Sequence, residues 1–195
     1  MKKFITTLFA LILFVPLFAR AEDNMQMQPS QPMYMVTDFQ KSLIGVWSGK
    51  GIMKDMKTGR DIEYTEQLTI KPTLDNKFLL LETKSSPDRN GNIFEGKGLS
   101  TFSPSQDKYV LYWFDSTGFG GKFEGQKQDN TITYIHDEAN GQRMVLTCMS
   151  ISDTQHRITM QVGKQGEELK QIMDTSYTKT GSITPEQKHT VPYSY

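Results

Sequence analysis

An all-β domain, built as a meander of about ten short antiparallel strands, is the fold this sequence predicts. Three observations carry that prediction. Apolar residues recur with period two from Val46 onward, and turn-forming clusters break the pattern at short intervals. Beyond the first 21 residues, no window keeps apolar residues at the i, i+3, i+4, i+7 spacing of an amphipathic helix. Strands spaced this way close into a barrel or stack as a sandwich.

The chain opens with a segment of a different kind. Residues 1–21 read as a cleavable secretory leader. Lys2 and Lys3 give a positive start, and an apolar stretch from Phe4 to Phe18 follows, interrupted only by Thr6, Thr7 and Pro16. Ala19-Arg20-Ala21 fits the small-x-small cleavage pattern, which makes Glu22 the expected new N-terminus. The stretch is shorter than the roughly 20 residues of a membrane-spanning helix, so no stable anchor is expected after cleavage. The absence of a cysteine after it argues against a lipid anchor. The leader looks bacterial, and the expected location is periplasmic or extracellular.

Residues 22–37, rich in Met, Gln and Pro, read as a flexible linker. Asp38 is positioned to cap a short helix through Leu43 and Ile44. Strands are then expected near 46–54, 61–71, 77–85, 92–102, 108–115, 119–126, 130–136, 142–151, 156–163 and 168–180. Asn90-Gly91 and Asn140-Gly141 favour positive φ and give strong hairpin signals. Glycines 118, 120, 121 and 125 read as strand bends in a small barrel. The β domain is thus expected over 38–180. The tail, 181–195, carries Pro185 and Pro192 and loses alternation, so it reads as mostly disordered.

Alternation also assigns faces. Ile62, Tyr64, Glu66, Leu68 and Ile70 share one face. Ile132, Tyr134 and His136 share another, as do Met144, Leu146 and Cys148, and then Ile158, Met160 and Val162. The apolar and Tyr members of these sets should point inward. In 108–115 both faces are apolar. Tyr109, Leu111 and Trp113 lie on one, and Val110, Tyr112 and Phe114 on the other. Such a strand is covered on both sides or presents its outer aromatics to another surface.

Composition narrows the function classes. Among 195 residues, 22 basic and 22 acidic side chains balance, and no basic block stands out, so a nucleic-acid partner is not expected. The single cysteine, Cys148, excludes an internal disulfide and reads as a small buried hydrophobe.

The stretch Leu43-Ile44-Gly45-Val46-Trp47-Ser48-Gly49-Lys50-Gly51 resembles the opening of calycin barrels, a group that includes lipocalins and fatty-acid-binding proteins. It resembles still more the domain of unknown function 1579 family and nitrobindin-type barrels. The aromatic strand that ends in Asp115-Ser116 strengthens the first of these likenesses, which runs over about 40–180. The resemblance implies a calycin-like, ten-stranded, antiparallel up-and-down barrel with a short N-terminal helix and an internal cavity. Calycins often pack an Arg over the Gly-x-Trp indole. In this sequence the best placed cation is Lys179.

Candidate chemistry is sparse. Nitrobindin-like barrels bind haem through a His, which draws attention to His136, near a rim. His156 reads as a turn residue and His189 as a tail residue, so a surface role is the simpler reading for all three. Met25, Met27, Met33 and Met35 could present thioethers to Cu(I), although a Met-rich low-complexity linker is the simpler reading. Glu66 on an apolar face, Glu82, and Asp115 at a strand end are the carboxylates worth testing as acids or as holders of a polar head. The simpler placement for Glu66 is at the barrel mouth or on a bulge. No Gly-x-Ser-x-Gly, HExxH, Cys/His cluster or phosphate loop is present.

The sequence therefore suggests an exported, non-catalytic binder of a small apolar or amphipathic molecule. The space would be lined by Tyr64, Glu66, Leu68, Leu111, Trp113, Met144, Leu146, Met160 and Met173, with no cofactor or metal in the reading. The alternatives are an interaction module that self-associates through 108–115, and an enzyme using Glu66 or Asp115.

Overall fold

A computed structural model describes residues 33–183, apart from 56–57 and 89–90. The leader, the linker up to residue 32 (with Met25 and Met27), and the tail from 184 (with His189) lie outside the described residues.

One helix, α1 (Asp38–Ser42), precedes ten strands. They are β1 (Gly45–Lys54), β2 (Asp61–Thr73), β3 (Phe78–Ser85), β4 (Glu95–Ser103), β5 (Lys108–Asp115), β6 (Gly120–Gln128), β7 (Thr131–Asp137), β8 (Gln142–Ser152), β9 (Gln155–Lys164) and β10 (Lys170–Gly181). Each strand pairs antiparallel with its neighbours in sequence, and β1 pairs with β10, so the sheet closes into a ten-stranded barrel. Closure leaves no edge strand open to another chain.

The alternating pattern is what positions the interior. On β2, Glu66, Leu68 and Ile70 are buried, and on β3 Leu79 and Thr83 are. Across the barrel, Leu111, Phe123, Ile132, Tyr134, Met144 and Val162 form a contiguous apolar cluster. The turns use the expected chemistry at Asn140-Gly141, where Gly141 has φ +83°. The β2–β3 turn departs from it. Leu74, Asp75 and Asn76 all take positive φ, a conformation that costs a Leu more than a Gly or Asn.

Two expectations are corrected at the N-terminal side. The helix cap is Thr37, not Asp38. The Thr37 hydroxyl accepts from the Gln40 backbone N–H, and the Gln40 side chain returns to the Thr37 N–H, which completes a capping box. Asp38 sits one residue inside the helix and pairs with Lys41 at 2.8 Å. The end of the stretch read as a flexible linker is also held. Met35 exchanges both backbone hydrogen bonds with Phe102, and Val36 is buried. This pairing is open to Met35 because β3 pairs with β4 only as far as Leu79 opposite Ser100.

The outer face of β5 is mixed. Val110 is buried opposite the fully buried Thr101, whose hydroxyl donates to Lys77 O at 2.7 Å. Tyr112 is half-buried, and Phe114 is 62% exposed.

Candidate ligand cavity

The barrel encloses a cavity of about 1760 Å³, mouth included. Small-molecule sites commonly occupy roughly 300–1,000 Å³. Phe39, Gln40 and Leu43 of the α1 region face the cavity, so the helix plugs one end. The plug is anchored by Gln40, whose Nε2 donates to the Ser100 hydroxyl at 3.0 Å, with the Tyr134 hydroxyl 3.2 Å from the same oxygen. Turn residues at the opposite end, among them Arg60, Asp88 and Thr117, border the mouth.

All nine residues that the sequence suggested for a ligand space border this cavity: Tyr64, Glu66, Leu68, Leu111, Trp113, Met144, Leu146, Met160 and Met173. Register explains the grouping. Leu146 lies opposite Met160, and Cys148 opposite Ile158, so β8 and β9 make one apolar wall. Met173 reaches the cavity beside a bulge between Gln171 and Met173, and that bulge brings Ile172 to the cavity as well. Trp113 lies against β4, where a Cβ at Gly96 would stand 2.2 Å from its ring.

Glu66 resolves the main ambiguity. It neither sits at the mouth nor bulges outward. It faces inward and is 9% exposed. The Tyr177 hydroxyl donates to Glu66 Oε1, and the Thr83 hydroxyl donates to Oε2 at 2.5 Å. Tyr64 and Thr175 share a second hydroxyl contact beside it. Among the described residues Glu66 forms no ion pair. Burial, with Glu66 nearby, drives the Tyr64 and Tyr177 phenols well above the ordinary range, so both remain neutral donors.

The sequence signal for this cluster is Gly49-Lys50-Gly51. Gly49 pairs with Glu66 on one side and Tyr177 on the other. Gly51 likewise separates Tyr64 from Thr175. A Cβ at Gly49 would lie 2.7 Å from the Tyr177 ring, and one at Gly51 would lie 2.6 Å from Thr175 Oγ1. The two glycines are gaps in β1 through which side chains of β2 and β10 meet.

His156 is a correction. It follows a turn, but its ring points inward and is 4% exposed. It stacks on Tyr177 (centroids 4.5 Å) and meets Trp47 edge-on at 4.2 Å. Its Nδ1 is buried with no hydrogen-bond partner. Burial, helped by the charge of Lys179, pushes its pKa down to about 4. Lys179 Nζ stands 5.1 Å from the Trp47 ring centroid, and the indole N–H donates to Leu43 O at 2.9 Å. Lys179 thus fills the barrel-closing position over the Gly-x-Trp indole. Gly45 makes room for it, since a Cβ there would lie 2.5 Å from Lys179 Cε.

The other candidates disperse. Glu82 faces outward between Lys71 and Lys97, each 3.0 Å away. Asp115 lies at the mouth, where it accepts from the Trp113 indole at 3.3 Å and from the Thr117 N–H at 2.9 Å. His136 packs against Phe119 and Phe123, with Nδ1 2.8 Å from Lys122 O. Cys148 borders the cavity, and burial pushes its thiol up to about 12, far from the reactive thiolate range. Met33 is exposed, and Met35 is tied to β4 by its backbone. Among the described residues no group of His, Cys, Asp and Glu is arranged to hold a metal.

A family model described as "Protein of unknown function (DUF1579)" matches residues 38–179. The chain belongs to the DUF1579 family. The matched span runs from α1 into β10 and so includes the plug, the Gly49-Lys50-Gly51 gaps and the Glu66 cluster. Among solved structures, Rv2717c from M. tuberculosis is similar over 75% of this chain and 99% of its own, with a TM-score of 0.54 and 14% identity. The S-type phycobiliprotein lyase CPES from Guillardia theta is similar over 74% of this chain and 90% of its own, with a TM-score of 0.51 and 10% identity. These likenesses concern the fold of this DUF1579 member. No curated protein matches its sequence.

Proposed function

We propose that this protein is an exported, non-catalytic binder of one small apolar or amphipathic molecule, held inside the barrel. The observation that carries this reading is the cavity itself: apolar walls on β5, β8 and β9 face a cluster of hydrogen-bonded polar groups around Glu66. Apolar walls with a few convergent polar groups are what orient a small ligand. Flexible Met side chains at 144, 160 and 173 would adapt to its outline.

Native mass spectrometry tests both halves. The protein, purified from the periplasm without detergent, is expected to begin at Glu22 and to carry an adduct of a few hundred daltons that denaturation releases. A clean apo mass, together with no saturable binding of a neutral hydrophobic probe, would refute the binding half. Retention of residues 1–21 on a cytoplasmic product would refute export.

Phe114, 62% exposed on the outer face of β5, favours a second reading, self-association through Lys108–Asp115. Sedimentation at rising concentration should then show a dimer that Phe114→Ser abolishes.

A further inference from the structure

Resting on the binding reading above, we propose that the ligand is a neutral amphiphile with a hydroxyl head. The head sits beside Glu66 and Tyr64, where it both donates and accepts a hydrogen bond, and the apolar body lies along the walls of β5, β8 and β9. The first reason is the mix of polar groups at that depth. The Glu66 carboxyl faces the cavity and is met by the Tyr177 and Thr83 hydroxyls. A carboxyl keeps an acceptor lone pair beyond two such bonds whether or not it carries a proton, so the fit does not depend on its charge. The half-buried Tyr64 phenol also borders the cavity and shares one hydrogen bond with the Thr175 hydroxyl, in which either oxygen can be the donor. Tyr64 can therefore turn a proton or a lone pair toward a ligand. A hydroxyl head answers both arrangements, because it carries one proton and two lone pairs.

The second reason is the neutrality of the groups around it. Burial raises the Tyr64 and Tyr177 phenols well above their ordinary range, pushes the Cys148 thiol up to about 12 and lowers His156 to about 4, so all four are uncharged at pH 7. Among the described residues, Arg60 at the mouth is the one Lys or Arg that borders the cavity. An anionic head drawn in as far as Glu66 would lose its water without gaining a cation. An ammonium would also lose its water, and it could accept nothing from Tyr64.

The third reason is the floor. At the plugged end the polar groups bond to one another: Gln40 Nε2 donates to the Ser100 hydroxyl at 3.0 Å, and the Tyr134 hydroxyl stands 3.2 Å from the same oxygen. A head group therefore finds its partners on the Glu66 wall rather than on the floor. Leu111, Leu146, Ile158 and Met160 line the cavity for the apolar body.

The test compares 1-decanol, decyl methyl ether, decylamine and decanoate at pH 7, each displacing the neutral probe N-phenyl-1-naphthylamine from the protein. The ether keeps the acceptor oxygen and loses the donor. Decanol is expected to bind at least tenfold more tightly than each of the other three, since a site that hydrogen-bonds a hydroxyl rejects the analogue that lacks it. A smaller margin over any of them overturns this inference and leaves the binding reading standing. Tyr64→Phe, checked for folding by circular dichroism, should weaken decanol at least threefold more than it weakens the probe. A smaller effect in the folded variant likewise overturns the inference. Should Tyr64→Phe not fold, the wild-type ranking decides the matter alone. Failure of the probe and all four ligands to bind overturns both readings.

Discussion

Acidification offers a direct reading of the His156 environment. The imidazole is 4% exposed, stacked between Tyr177 and Trp47, and lies near the charge of Lys179. Its pKa stands at about 4 in the folded barrel against 6.5 for an ordinary His. Between these values the unfolded chain takes up a proton that the folded chain refuses. Stability is therefore fully present above pH 6.5, falls as the pH drops, and levels off below about 4. At about 1.36 kcal/mol per pKa unit, the whole loss is about 3 kcal/mol. Urea unfolding, followed by circular dichroism at pH 7, 6, 5 and 4.5, measures it. His156→Phe keeps a flat ring in the stack but cannot titrate, so its stability should hardly change over this window. The ion-paired carboxylates add their own losses lower down. Glu124, for example, is held at about 2 by its hydrogen bonds to Lys108 and Lys122, so its contribution fades below about pH 4.5. A wild-type profile that is flat from pH 7 to 4.5, or an equally steep one in His156→Phe, would refute the reasoning.

Three further outcomes are expected. Gly49→Ala sets a Cβ 2.7 Å from the Tyr177 ring and pushes that ring off Glu66; overpacking and a lost bond to a buried carboxylate should cost about 2–4 kcal/mol in urea unfolding. Gln40→Ala removes half the capping box and the bond to Ser100; about 1–2 kcal/mol should be lost, and the unplugged cavity should exchange a bound fluorescent probe faster in stopped flow. Lys179→Met removes the cation over Trp47 and one of the causes that depress His156; about 1 kcal/mol should be lost, and the His156 midpoint should rise when followed by NMR titration.

The fold was largely legible because its signals are local. Period-two alternation fixes which residues share a face, and ten strands joined in sequence leave few ways to close. The β2–β3 turn was not legible. Leu74 carries no preference for positive φ, and the pairing of the flanking strands and the Lys77 N–H, which donates to Leu74 O at 3.1 Å, hold it there. The Thr37 cap was missed because Asp38 looks equally suitable one residue later. What decides between them is Gln40, three residues from Thr37, which completes the capping box and then reaches Ser100 across the barrel. His156 misled for a related reason. Its neighbours in sequence are turn residues, while its surroundings come from Trp47 and Tyr177, which lie far from it in the chain.

The polar cluster shows how a cavity can be specified by what a strand lacks. Alternation placed Glu66 among inward apolar residues, and on that pattern alone a carboxylate looks like an error to be bulged away. Its partners Thr83 and Tyr177 lie on different strands, and no spacing in the sequence links them. Yet β1 carries Gly49 and Gly51 opposite both Glu66 and Tyr64. Two glycines at alternate positions weaken a strand, since each costs conformational entropy and packs nothing. That cost is explicable if both side chains are needed to reach across: Glu66 to Tyr177 through one gap, and Tyr64 to Thr175 through the other. A larger residue at either position would collide with what fills the gap, the Tyr177 ring at Gly49 and Asp174 O with Thr175 at Gly51. The gaps hold a carboxyl group and two phenols together in a mostly apolar cavity, and that arrangement suits a ligand with a hydrogen-bonding head.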